Sequence, residues 1–199
     1  MFTRIVIFND ATNIDGGLDY IRDTVAPVLR QQNGYRGLFV SANRTTGVLG
    51  ALSLWETAAD RDASDGALTK VRDEALGITG GTISIETYEQ TLSEIAGPPT
   101  VGSSLLIRRI SMEPSQIDDN LAFFEREVLP QIRATEGFLA IRHMIDRTTG
   151  NGVVGTIWTN ETTLAAAAEA AEARRQLAVA QRVTFGEQTT RTIEYVDLV

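Results

Sequence analysis

Cysteine is absent from the 199 residues, which rules out disulfides, thiolate metal sites and a cysteine nucleophile. Histidine occurs once, at His143. A Ser-His-Asp triad would have to use that residue, and the G-x-S-x-G elbow that would present its serine is missing. No apolar run approaches the roughly 20 residues of a membrane span. The opening Met1–Phe8 is apolar but too short for a signal peptide and lacks a basic start. Positive charge is scarce as well: 18 Lys and Arg face 26 Asp and Glu, giving a net charge of −8. That balance excludes the basic stripe of a nucleic-acid binder. Lys70 is the single lysine, which fits codon bias in a GC-rich genome better than any chemistry. Asp and Glu are spread along helix faces without ligand spacing, so no metal site is expected. These absences leave an acidic protein expected in the cytoplasm, with neither nucleic acid nor membrane as partner.

A 43% hydrophobic content is ordinary for a globular chain with a real core. The string Arg-Thr-Thr-Gly appears at residues 44–47 and again at 147–150, an offset of 103. With that offset and no gap, Ile14, Asp15, Leu18, Val25, Pro27, Arg30, Gly34 and Trp55 also meet their own kind, which makes 12 identities over residues 14–55. Chance would give about two or three at ordinary residue frequencies. Ile85-Glu86 recurs as Ile193-Glu194, offset by 108. The chain therefore reads as a tandem duplication of a unit of about 95 residues. Residues 1–92 form the first unit and 103–199 the second, with 93–102 as a linker inside "LSEIAGPPTVG". Acidic excess divides evenly, since residues 1–91 hold 8 basic and 12 acidic residues and the remainder 10 and 14.

Within a unit the hydrophobic period alternates. Phe2–Phe8 reads as a strand. Leu18, Ile21, Val25, Val28 and Leu29 mark a helix over 15–32, in which Pro27, and Pro130 in the second unit, predict a kink. Gly34 stops the helix. "YRGLFVSANRTTGVLGALSLWE" is a hairpin whose turn is Arg44–Gly47, so the repeated motif is turn chemistry rather than a ligand loop. Thr57 and Asp60 have capping-box spacing for a second helix, and Asn160 caps its alanine-rich counterpart over 161–182. A last strand, "GTISIETYE", completes a β-α-β-β-α-β pattern. The expected fold class is α+β, two tandem ferredoxin-like units forming an intramolecular dimeric α/β barrel, with further association of two chains left open.

The order Pro27, Gly34-Tyr35, hairpin, Trp55-Glu56, helix, repeated from Pro130 through Gly137-Phe138 to Trp158, resembles the antibiotic biosynthesis monooxygenase family of dimeric α/β barrels. The resemblance implies a cofactor-independent oxygenase acting on an aromatic, polyketide phenol-like molecule held between sheet and helices. A non-catalytic binding or interaction protein of the same fold is the alternative. By resemblance, Trp55, Arg61 and Asn9 are the candidate catalytic residues. Tyr35, Phe39, Ala51, Ser53, His143 and Trp158 are candidate substrate contacts. The haem-degrading branch needs a histidine on the second helix, which neither unit has, so haem degradation is not expected and no cofactor is implied.

The residues also have plainer readings. Arg61 lies among Asp60, Asp62 and Asp65 and can pair with them at the surface, and Asn9 can be a turn residue. His143 alternates in phase with Leu139, Ile141 and Ile145, as a satisfied core histidine would. "GITGG" follows a helix and precedes a strand, the reverse of a phosphate-cradling loop. With offset 103, Met112 and Leu164 stand where Asn9 and Arg61 do, and Val154 and Thr156 replace Ala51 and Ser53. The second pocket is therefore expected to be the smaller and less polar one.

Overall fold

The computed structural model describes residues 1–179 and 182–199, and for 172–179 the backbone alone. The chain divides into two compact units, Met1–Glu89 with Thr192–Val199, and Gln90–Arg191. The first contains β1 (Phe2–Asn9), α1 (Ile14–Tyr20), α2 (Ala26–Arg30), β2 (Tyr35–Asn43), β3 (Val48–Trp55), α3 (Ala58–Ala63), α4 (Asp65–Thr79) and the first part of β4 (Thr82–Ile95). The second contains β5 (Ser104–Ser111), α5 (Ile117–Phe123), α6 (Leu129–Arg133), β6 (Phe138–Ile145), β7 (Asn151–Trp158), α7 (Glu161–Val179) and the first part of β8 (Thr184–Leu198). Strand order is β4-β1-β3-β2-β8 in the first unit and β8-β5-β7-β6-β4 in the second. The fold class is α+β and ferredoxin-like, as expected.

The division differs from a cut at residues 92 and 103. β4 runs to Ile95, and Leu92 is buried in the core of the second unit, so "LSEI" is strand and irregular chain starts only at Ala96. β4 and β8 span 14 and 15 residues, long enough for each to give part of its length to either unit. Residues 192–198 thus pair with β2 in the first unit, from Ala42↔Thr192 to Gly37↔Leu198. The described part of α7 ends at Val179, and residues 180 and 181 of the expected helix lie outside the described residues.

The proline expected to kink each first helix sits instead just after a π-helical turn, Ile21–Val25 in one unit and Phe124–Val128 in the other. Pro27 and Pro130 lack an N–H and would press on the carbonyl four residues back in a regular α-helix. The wider turn, closed by Ala26 N–H to the Ile21 carbonyl, carries one extra residue past that clash. This has a positional effect. Over 12 residues of plain α-helix a row at four-residue steps drifts by about 120°, and one extra residue cuts that to about 20°. Asn120, Phe124, Val128 and Ile132 consequently line one cavity together.

Both Arg-Thr-Thr-Gly strings are hairpin turns. Gly47 and Gly150 take φ of 66° and 73°, and their carbonyls accept from Ala11 N–H and Met112 N–H. Arg44 pairs with Asp15 and Arg147 with Asp118, each at 2.8 Å. Thr57 accepts from Asp60 N–H and Asn160 from Thr163 N–H, the caps that the spacing predicts. The helix after Trp55 is broken at buried Ser64, whose Oγ accepts from Arg4 Nη1 at 2.9 Å.

Candidate functional site

A cavity of about 120 Å3 lies inside the second unit between its sheet and its helices. Strand alternation directs Leu106, Arg108 and Ile110 of β5, and Val154, Thr156 and Trp158 of β7, to the same face. The helical row from Asn120 to Ile132 closes one side, and Ala167 and Ala171 of α7 form the rest of the roof. Phe185 and exposed Gln188 of β8 stand at the edge, where Arg108 donates to the Gly186 carbonyl and to Gln188 Oε1.

His143 is the most deeply buried polar group of this cavity, 1% exposed. Its Nδ1 is 2.8 Å from Thr91 Oγ1, and that oxygen is 3.1 Å from the His143 carbonyl. When the one hydroxyl proton goes to the carbonyl, Nδ1–H donates to Thr91 and Nε2 keeps a lone pair. Burial pushes the imidazolium pKa down to about 4, so the ring is neutral near pH 7. The Phe124 ring packs 5.6 Å from it. Asn120, 7% exposed, also lines the cavity, and its Nδ2 is buried with no hydrogen-bond partner. Trp158 donates through Nε1 to Thr156 Oγ1 at 2.9 Å and packs edge-on against Phe138.

The first unit has a cavity of about 40 Å3 in the corresponding place, lined by Ala51 and Ser53 but not by Trp55. The expected asymmetry is therefore reversed: the second unit holds the larger space. Trp55 is fully buried, bonded through Nε1 to Ser53 Oγ, edge-on to Tyr35 at 5.9 Å, and covered by the Arg4 guanidinium 5.9 Å from its ring. Arg4 occupies the place beside the tryptophan that a ligand would need. Arg61 is not on the cavity; it pairs with Asp62 at 2.8 Å and lies over the Phe2 ring. Asn9 ends β1 opposite Thr82. Tyr35 donates to Asp197, and Phe39 points away from the helix-facing core that holds its neighbours Leu38 and Val40.

Two alignments change with the structure. β1 pairs Phe2 with Trp55, but β5 pairs Ser104 with Trp158, an offset of 102. Ser111 is thus the counterpart of Asn9, Leu106 of Arg4, and Arg108 of Val6. Met112 instead matches Ala11, since each donates to the glycine of its hairpin. A bulge at Phe138/Ala140 also puts Phe138 in the same core as Ile141, against the simple alternation. Sequence reasoning missed Arg4, Asn120 and Thr91. The signal for the cavity was the alanine content of α7, which places Ala167 and Ala171 where α4's segment has Ser64 and Leu68.

The architecture is shared with monooxygenase-like proteins. A candidate monooxygenase from Fusobacterium nucleatum superposes with a TM-score of 0.71 at 10% identity, covering 99% of this chain and 94% of its own. An anthrone oxidase-like protein gives 0.69 at 12% identity, covering 99% and 92%. A haem-degrading enzyme from Listeria monocytogenes gives 0.57 at 9% identity, covering 96% and 99%. In sequence, an uncharacterised protein of Mycobacterium tuberculosis is 31% identical over 140 residues, 70% of this chain and 62% of that protein. A second from the same organism is 28% identical over 134 residues, 67% and 57%. The chain thus spans about three fifths of the length of these relatives. No family model matches the sequence. Among the described residues no group of His, Cys, Asp or Glu is arranged to hold a metal, and no helix is long and apolar enough to cross a membrane.

Proposed function

We propose that the chain is a cofactor-independent monooxygenase-like protein whose second unit takes a hydroxylated aromatic molecule of one ring. The carrying observation is a cavity walled by Phe124, Phe185 and Trp158 and lined by a buried neutral histidine, whose Nε2 is an acceptor when Nδ1 carries the proton. An engineered apolar cavity of about 150 Å3 accepts benzene, which sets the scale for this one. A tricyclic ligand of the kind named by the anthrone oxidase-like protein exceeds that space. The ligand's hydroxyl donates to His143 Nε2 and accepts from Asn120 Nδ2, while Phe124, Phe185 and Trp158 enclose the ring. The two units are read as copies of one ancestor, supported by the shared hairpin, π turn and tryptophan contacts at matching positions.

The reaction of this class is ArOH + O2 → quinone + H2O, in which the substrate supplies all electrons. One oxygen atom enters the ring and the other leaves as water. A base of pKa about 4 cannot remove a proton of pKa about 10 unaided, an uphill step of about 8 kcal/mol. The bound ligand therefore rests as a neutral phenol hydrogen-bonded to Nε2, and the proton moves as the ring loses an electron to dioxygen. The same gap favours the second reading, a protein that binds such molecules without turning them over.

Quenching of tryptophan fluorescence by phenol, hydroxynaphthalene and hydroxyanthracene, run beside an oxygen electrode, separates these. Saturable binding of phenol with oxygen uptake supports the enzyme, and binding of phenol without uptake supports the carrier. No saturable binding of any of the three would overturn both.

A further inference from the structure

Thr91, half-buried on β4, reaches His143 twice. Its Oγ1 stands 2.8 Å from the ring Nδ1 and 3.1 Å from the carbonyl oxygen of the same residue. Each contact needs a proton between two electronegative atoms, and the hydroxyl supplies only one. The carbonyl has none to offer, so the hydroxyl donates to it. The other proton must then sit on Nδ1. Were the hydroxyl turned to Nδ1 instead, two oxygens would face each other at 3.1 Å with nothing between them. A neutral imidazole carries a single N–H, so protonated Nδ1 leaves Nε2 as an acceptor. The ring has no other hydrogen bond among the described residues.

This polar pair is not part of the frame that the two units share. His143 lies opposite Val154 of β7, and the residue opposite the matching Ala51 of β3 is fully buried Val40. The pair belongs to the contents of the cavity. Asn120 Nδ2, a buried donor without a partner, lines the same cavity. A ligand hydroxyl satisfies both groups, accepting from Nδ2 and donating to Nε2. An ether oxygen or a quinone carbonyl has no proton, so it meets Asn120 alone and turns a lone pair toward Nε2. We infer that Thr91 is a positioning residue that holds His143 in its Nδ1–H form and thereby makes the cavity select hydroxyl-bearing rings over their ethers and quinones. The selection rests on the proposed aromatic function, whereas the tautomer is independent of it. In an oxygenase the selection also clears the site. A quinone formed there has lost the proton that held its precursor, and it gives way to the next phenol.

Because His143 is the single histidine, the nitrogen-15-labelled intact chain gives one pair of imidazole nitrogen signals, read at pH 7. Protonated Nδ1 and bare Nε2 are expected with no ligand present. Thr91→Val should move the proton to Nε2, and Thr91→Ser, which keeps the hydroxyl, should leave it on Nδ1. In calorimetric titration phenol should bind at least about tenfold tighter than anisole or 1,4-benzoquinone, because an acceptor left buried and unpaired costs that much or more. Thr91→Val should reduce that preference to about threefold or less, and Thr91→Ser should keep it. A proton on Nε2 in the unaltered chain, or one that stays on Nδ1 in Thr91→Val, overturns the role of Thr91. The expected spectra with anisole bound as tightly as phenol overturn the selection. The expected spectra with neither compound bound overturn the aromatic function and leave the tautomer assignment standing.

Discussion

The two units use the same frame for different contents. In each, a tryptophan ends the third strand, donates to a hydroxyl two residues earlier at 2.9 Å, and meets an aromatic ring edge-on. In each, a π turn straightens a row of helical side chains and an arginine ties the hairpin to the first helix. Yet the first unit fills the space beside its tryptophan with Arg4 and leaves about 40 Å3, while the second leaves about 120 Å3 beside a neutral histidine. The frame depends on a few geometric contacts whose donor and acceptor types recur in both units. The contents depend on side-chain volume at five or six positions that the frame does not constrain.

The largest expected effect tests the tryptophans. Trp55→Ala and Trp158→Ala should each cost about 3–5 kcal/mol in denaturant unfolding. Trp55→Ala should cost more, because its ring is enclosed on every side while Trp158 already borders a void. Equal costs would break the comparison.

Next is the histidine. His143 has its folded pKa depressed from 6.5 to about 4, so the unfolded chain binds the extra proton first as pH falls. Its contribution to stability is complete above pH 6.5 and is lost progressively down to about pH 4, a total of about 3 kcal/mol. The difference in unfolding free energy between the protein and His143→Asn should therefore shrink or reverse across that window. A difference independent of pH would show that the ring is not buried neutral.

The cavity itself is tested by Ala171→Leu, which restores the residue found at Leu68. It should weaken aromatic binding more than tenfold while changing stability by no more than about 1 kcal/mol, since it enters existing space. The smallest effects belong to the hairpin arginines. Arg147→Ala should change stability by about 0.5 kcal/mol or less, as an exposed pair does. Arg44→Ala should cost slightly more, because Arg44 also reaches the largely buried Glu194.

What could be read in advance follows from these differences. The strands, the hairpin turns and the caps at Thr57 and Asn160 are local, and period and turn chemistry reveal them. The identity of the larger cavity is a balance of volumes between Ala167 and Ser64, Ala171 and Leu68, Phe124 and Ile21, which no single motif encodes. The one-residue shift of β5 against β7 moved the counterpart of Asn9 from Met112 to Ser111, and only strand pairing shows it. Arg4 reads as a surface charge on a strand, and its burial depends on Ser64 and Asp65, 60 residues away.

The placement of residues 192–198 on β2 has a consequence for synthesis. Ser41 pairs with Ile193, so β2 leaves the ribosome about 150 residues before its outer neighbour exists. For all that time it presents an unsatisfied strand edge, and closing so long a loop slows folding. Nascent chains stalled before residue 192 should therefore be captured by chaperones that recognise open strands. Release of the remaining residues should convert them to protease-resistant protein in a single late step.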